Sequence, residues 1–383
     1  MDEKTNKKKK TIKERWQDFK ESLKTPEGKK KLLIFIVIFV VVLVTGFTVY
    51  NRYFAKEKPS STANSSGTLP SINESTAPSE KKVISIFDGQ SYPENVANRH
   101  ALAIMVENQV DSRPQSGLDK AKIVYEAITE GGITRFMAIY GPESTSKVGP
   151  VRSARTYYLD WDLEYDGFYA HVGGNLDALQ LIPELKIKDL DQFRYGEQAY
   201  SRIPRGNRAT EHTMYTDTDK LWRIAEDNGW DMKANFDSYE FKDDALLDQR
   251  PNSQSIGINF STASYKVTWD YDKTNNVYLR SMAGSPHKDE VTGEQLKAKI
   301  VIIQEVQRWE TTTSINEAGW AMKTVGEGNA KIVMDGKVIE GKWKKENRTS
   351  RTVFTDADGN KIKYDPGTIW VEIVPPSTPV TIS

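Results

Sequence analysis

The longest apolar run in the chain is LLIFIVIFVVVLVTGFTVY, residues 32–50, which holds no charged residue. At about 1.5 Å per residue a helix of this length runs roughly 28 Å, the depth of a bilayer hydrocarbon core. It predicts one transmembrane helix. A cleaved signal peptide has a shorter apolar region that ends at a small-x-small site, whereas this run continues to Tyr50 and Tyr53. Upstream, Ile12, Trp16, Phe19 and Leu23 recur at helical spacing among lysines, which suits a helix on an anionic leaflet and equally a solvated basic tail. Downstream, residues 51–82 are Ser, Thr, Asn and Pro with little to bury, the composition of a flexible stalk.

From Val83 onward the pattern is that of folded protein. ALAIMVEN (101–108) is a short apolar run, and KIVYEAITEGGITRFMAIY (122–140) is two β-rich runs about Gly131-Gly132, the signature of a tight hairpin. Val151, Ala154, Tyr158, Trp161 and Tyr165 recur at spacings that predict an amphipathic helix with Pro150 in its first turn. GFYAHVGGN (167–175) reads as a buried strand ending in glycines. Thr216 or Asp217 then caps a helix that Gly229 ends. The polar stretch 237–255 marks a boundary, and residues 250–383 carry short β-rich runs divided by Asp-Gly and Pro-Gly turns. The expected class is α+β: a mixed α/β ectodomain over 83–240, then a small β-rich domain over 250–383, preceded by one transmembrane helix.

Charge gives the chain a direction. Residues 1–31 carry 12 Lys/Arg and 6 Asp/Glu, and the remainder carries 41 and 47. Lys29, Lys30 and Lys31 abut the apolar run, which places the basic segment 1–31 in the cytoplasm and the C-terminal part outside. An acidic ectodomain argues against a nucleic-acid partner. The chain has no cysteine, so no thiol is present to carry a lipid or a disulfide.

The candidate chemistry gathers in the first folded region. Arg152 and Arg155, three apart at the predicted helix start, suit a carboxylate or phosphate; pairing with an Asp or Glu of the fold is the alternative. Strand alternation puts Glu126, Ile128 and Glu130 on one side of the hairpin, with Arg135 on the return strand. A carboxyl among apolar neighbours can act as general acid in glycan cleavage, while a Glu126–Arg135 cross-strand ion pair accounts for the same residues without chemistry. Glu107 is the available second carboxylate. His171, with Asn175 after it, and His212 are candidate substrate contacts; a purely structural role is the alternative for each histidine. No His-Glu-x-x-His, close His pair or Cys cluster points to a metal, and no cofactor motif is present. STSK (144–147) lacks the companion elements of penicillin-binding enzymes, and GEGNA (326–330) lacks the Lys-Ser/Thr of a phosphate loop.

Several of these stretches are similar to one family. SRPQSGLDKAKIVYEAITEGGITRF (112–136), GPVRSAR (149–155), the His-x-Gly-Gly of AHVGGN and the variant motif EHTMYT (211–216) resemble the YerB-like lipoproteins of Gram-positive bacteria, which carry a domain of unknown function in two parts. The resemblance spans roughly 83–376. EHTMYT departs from the family's Pro-His-Asn-x-Tyr, with Thr213 where Asn is expected beside His212. The resemblance implies an envelope protein on the outer side of the cytoplasmic membrane, here held by a transmembrane helix in place of a lipidated cysteine. Two functions are compatible with that address. One is lytic-transglycosylase-like cleavage of peptidoglycan glycan strands, with Glu130 or Glu126 as acid, Arg135, Arg152 and Arg155 on carboxylates, and His171, Asn175 and His212 on the sugar. The other is a non-catalytic binding or scaffold module for an anionic wall polymer or a partner envelope protein.

Overall fold

The computed structural model describes residues 80–383 apart from Ser314, all within one compact unit. The basic segment 1–31, the predicted membrane helix 32–50 and the stalk as far as residue 79 lie outside the described residues. Among those described, no helix is long and apolar enough to cross a membrane.

In chain order the first half supplies strands β1 (Leu102–Glu107), β2 (Ile123–Ile128) and β3 (Thr134–Tyr140), helix α1 (Thr156–Asp162), strand β4 (Phe168–His171), helix α2 (Leu176–Glu184), strand β5 (Lys188–Asp191) and helix α3 (Thr218–Asp227). The second half adds β6 (Ser255–Asn259), β7 (Lys266–Asp272), β8 (Val277–Met282), β9 (Ile300–Glu305) and the hairpin β10 (Arg308–Thr312) and β11 (Ala318–Met322). It closes with β12 (Gly326–Met334), β13 (Lys337–Lys345), β14 (Val353–Asp356), β15 (Ile369–Val374) and β16 (Val380–Ile382). The class is α+β with a sheet-rich second half.

Ten strands form one sheet in the order β14-β13-β12-β9-β15-β2-β3-β1-β4-β5. The regions on either side of 237–255 therefore share a sheet, and they meet where β15 runs parallel to β2. Strands β9, β15, β2, β1, β4 and β5 all point the same way, with β3 antiparallel among them. The central strands read as unbroken apolar runs because both faces are covered. One face packs on a smaller sheet through Ile256, Trp269 and Tyr278, and the other on α1 through Tyr158 and Trp161.

The joint between the halves is polar and fully buried. Glu126 on β2 and Glu372 on β15 are register partners, and Arg280 reaches them from β8 of the facing sheet; all three have no exposure. Arg280 donates from Nη2 to Glu126 Oε2 at 2.5 Å and from Nη1 to Glu372 Oε1 at 2.8 Å. Its Nε donates to His287 Nδ1 at 3.0 Å, and His287 Nε2 lies 2.8 Å from Gln115 Oε1. Burial, and then the charge of Arg280, lower the His287 pKa well below its ordinary value, which suits a neutral ring accepting from the guanidinium. Thr134 and Asn108 donate to the other Glu126 oxygen at 2.6 and 3.2 Å. Three rings, Phe136, Trp269 and Trp370, surround the guanidinium, the last at 4.5 Å.

One cation against two carboxylates leaves a buried negative charge without a partner. Burial, and then the neighbouring Glu126 charge, push the Glu372 carboxyl up to about 8. A proton on Glu372 balances the cluster at neutral pH. Because the folded-state value is raised, the stability this group contributes is complete below its unfolded value and is lost as pH rises toward 8. Relative to Glu372→Gln, the wild-type chain should lose up to about 1.4 kcal/mol per pH unit across that window, read from urea midpoints. Parallel curves for the two proteins would disprove the proton on Glu372. Arg280→Ala, which leaves the buried Glu126 carboxylate without its cation, should cost about 3–5 kcal/mol in the same assay.

Candidate functional site

The site lies at the C-terminal edge of the parallel strands, where open α/β sheets commonly hold ligands. Strands β1 and β4 pair only from Leu102–Phe168 to Ile104–Ala170 and then part. The extended stretch 150–154 is wedged into the gap. Glu107 N donates to Pro150 O and Arg152 N to Met105 O on one side, while Val172 N donates to Arg152 O and Ala154 N to Gly173 O on the other. These backbone bonds outweigh the helical periodicity read from Val151 onward, so α1 begins only at Thr156, after Arg155 as N-cap. The two arginines thus sit on an extended segment, contrary to the predicted helix start. Gly149 makes the entry possible: its φ is +145°, and a Cβ there would stand 2.8 Å from Met214 O.

Arg152 and His212 meet at Glu107. Glu107, almost fully buried at the end of β1, accepts from Arg152 Nε at 2.8 Å through Oε1 and faces His212 Nδ1 at 2.9 Å through Oε2. One carboxylate therefore orients a guanidinium and an imidazole together. The terminal nitrogens of Arg152 and Nε2 of His212 make no hydrogen bond among the described residues. His212 rides on a loop that is tied down by Arg208, whose Nη1 donates to Ser112 O at 3.2 Å, and by Arg205, which pairs with Glu290 at 2.8 Å. Glu290 also holds Lys147 at 2.8 Å.

The second cluster is Glu130, Arg155 and Arg135. The loop between β2 and β3 runs from Thr129 to Ile133, longer than the predicted tight turn, with Gly131 and Gly132 at φ +65° and +75°. Glu130 therefore leaves the strand alternation and turns to Arg155, whose Nε and Nη2 grip its two oxygens, the latter at 2.8 Å. Burial pushes the Glu130 carboxyl up, but the Arg155 hydrogen bonds and the charges of Arg155 and Arg135 outweigh it and hold the pKa below the ordinary carboxylate value. Arg135, buried, donates to Ser153 O at 2.7 Å. It is the register partner of Glu107, which links the two clusters across β1 and β3.

The remaining candidates stand apart. Glu126 points to the opposite face from Arg135, because Arg135 pairs in register with Ala127; it belongs to the Arg280 joint, out of reach of a substrate, and the cross-strand pair with Arg135 does not form. His171 has no exposure, and both ring nitrogens face oxygens, Gly173 O at 2.7 Å and Asp189 Oδ1 at 2.9 Å. Asn175 caps α2 through Ala178 N at 3.3 Å. Those two residues shape the β4–α2 turn. Reading by residue type overlooked Arg280 and Glu372. Their signal was present: Tyr278, Arg280 and Met282 share the buried side of an alternating strand, so the arginine had to enter the interior. Among the described residues, no group of three His, Asp or Glu could hold a metal.

This arrangement of a two-part chain around one sheet defines its class. Residues 88–231 match the N-terminal domain and residues 256–371 the C-terminal domain of the family described as "Protein of unknown function (DUF3048)", and the chain belongs to that family. It is 29% identical over 313 residues to "Putative lipoprotein YerB" of Bacillus subtilis (strain 168), covering 79% of this chain and 89% of that protein. The crystal structure of the B. subtilis YerB protein superposes with a TM-score of 0.70 at 28% identity, over 79% of this chain and all of that one.

Glu130→Gln should lower stability by no more than about 1 kcal/mol, since the carboxylate is over a third exposed. The depressed folded-state pKa places that contribution above the ordinary carboxylate value, and it should vanish as pH falls through the folded value. A urea series at pH 7 and pH 3 checks both points. Glu107→Ala, which releases two groups at once, should cost about 2 kcal/mol at pH 7.

Proposed function

We propose that this chain is an envelope protein, anchored in the cytoplasmic membrane by residues 32–50, whose external part binds a carboxylate- or phosphate-bearing wall polymer without cleaving it. The observation that carries this reading is the Glu107 bridge, which fixes Arg152 and His212 while leaving the outer guanidinium nitrogens and the imidazole Nε2 without a hydrogen-bond partner among the described residues. Oriented donors of this kind suit an anionic group at little entropic cost. The kinship with a protein named as a lipoprotein, together with the basic segment before the apolar run, supports the envelope address. Glycan cleavage needs a carboxyl that stays protonated near neutral pH; Glu130 is shifted the other way, and Glu126 is sealed inside the fold.

The test uses the full chain in detergent, mixed with purified cell-wall sacculi. Co-sedimentation should fall with ionic strength and weaken about fivefold or more in Arg152→Lys, which keeps charge but loses the planar fork. Glu130→Gln should bind nearly as wild type. Soluble muropeptides that appear with the wild-type chain and disappear with Glu130→Gln would overturn the binding reading in favour of chemistry.

A further inference from the structure

The polar stretch 237–255 is fastened to the segment that leads into β15. Glu240 and Phe241 run parallel to Lys363 and Tyr364, in register, and Lys242 N donates to Tyr364 O at 2.8 Å. Lys242 and Asp365 are therefore the next residues along two adjacent parallel segments, side by side. Lys242 Nζ contacts Asp365 Oδ1 and lies 2.7 Å from Oδ2 of a second carboxylate, Asp335, in the β12–β13 turn. Asp365 has no exposure and Asp335 is nearly buried. Asn276, also buried, donates from Nδ2 to Asp335 Oδ1 at 2.8 Å and to Asp365 Oδ2 at 3.3 Å. Its own carbonyl is held by the Tyr271 hydroxyl at 2.6 Å.

An ion pair needs one carboxylate; this cluster has two, in different states. Burial, helped by the hydrogen bond and charge of Asp335, pushes the Asp365 carboxyl up to about 6 against the pull of Lys242. Burial acts on Asp335 too, but hydrogen bonds from Lys242, Asp365, Asn276 and Ala245 N outweigh it and hold that carboxylate below its ordinary range. The amine thus has a carboxylic acid to attack, a carboxylate to take its proton and an amide N–H aimed at the oxygen that gains charge. We propose that Lys242 Nζ and Asp365 Cγ join in an amide bond formed by the chain itself, with Asp335 as the base and Asn276 steadying the oxyanion on Oδ2. The C–N bond forms as the C–O bond to the Asp365 hydroxyl breaks. Of the three ammonium protons one stays on the amide, one leaves with that hydroxyl as water, and one rests on Asp335. No oxidant or other reactant is consumed. The cross-link is independent of the anion-binding reading of Arg152 and His212, which stands or falls on its own variants.

Intact-mass spectrometry of the full chain in detergent tests it. The wild-type chain should weigh one water less than its sequence, whereas Lys242→Arg, which keeps the charge but not the amine, and Asp335→Asn, which removes the base, should show their full masses. A tryptic digest of the wild type should contain a branched fragment joining the stretches around Lys242 and Asp365, which distinguishes the amide from water lost at an aspartyl-glycyl bond. On a denaturing gel the closed loop should run ahead of Lys242→Arg. A wild-type chain at the full mass of its sequence overturns the proposal. So does a missing water that persists in Lys242→Arg.

Discussion

Arg280 comes from the smaller sheet, and the carboxylates it holds come from strands more than two hundred residues apart in sequence, so one side chain ties three segments of the chain together. An ion cluster sealed in this way gives little net stability over a well-packed apolar equivalent, since desolvation offsets most of the Coulombic gain. Its effect is on specificity. A shift of β15 against β2 by one residue would turn Glu372 to the other face and leave Arg280 and Glu126 mismatched in the interior, so the cluster fixes the register of the central pair.

That register in turn determines the geometry of the edge. With β1, β2 and β3 locked, Glu107 and Arg135 face one another, and the gap between β1 and β4 accepts the stretch bearing both arginines. The arginines are thus presented by a backbone bonded on both sides. Each is met by a carboxylate that restricts its rotamers.

Much of this was legible in the chain itself. The apolar runs over 101–108, 122–128 and 134–140 are strands because their length and β-branched content suit a sheet covered on both faces. The polar stretch 237–255 lies between the stretches 88–231 and 256–371 that match the two family domains. What periodicity could not reveal is competition: Val151, Ala154 and Tyr158 have helical spacing, yet residues 150–154 are extended because open backbone groups on β1 and β4 capture them. Likewise Glu126 and Glu130, two residues apart, appear equivalent in a strand, but the glycines send one toward Arg155 and leave the other in the interior. Such outcomes depend on partners distant in sequence. No local pattern encodes them.

The strand order has a temporal consequence. β15, Ile369–Val374, lies between β9 and β2 in the middle of the sheet, although it is the last of the ten to leave the ribosome. Until it arrives, β2 presents an unpaired edge that carries a bare Glu126, and the earlier strands cannot close on the later ones. The two halves recognised as family domains are therefore not modules that can be exchanged or truncated at will. Truncation into β15 would open the sheet at its centre, and the large sheet closes only after almost the whole chain has been made.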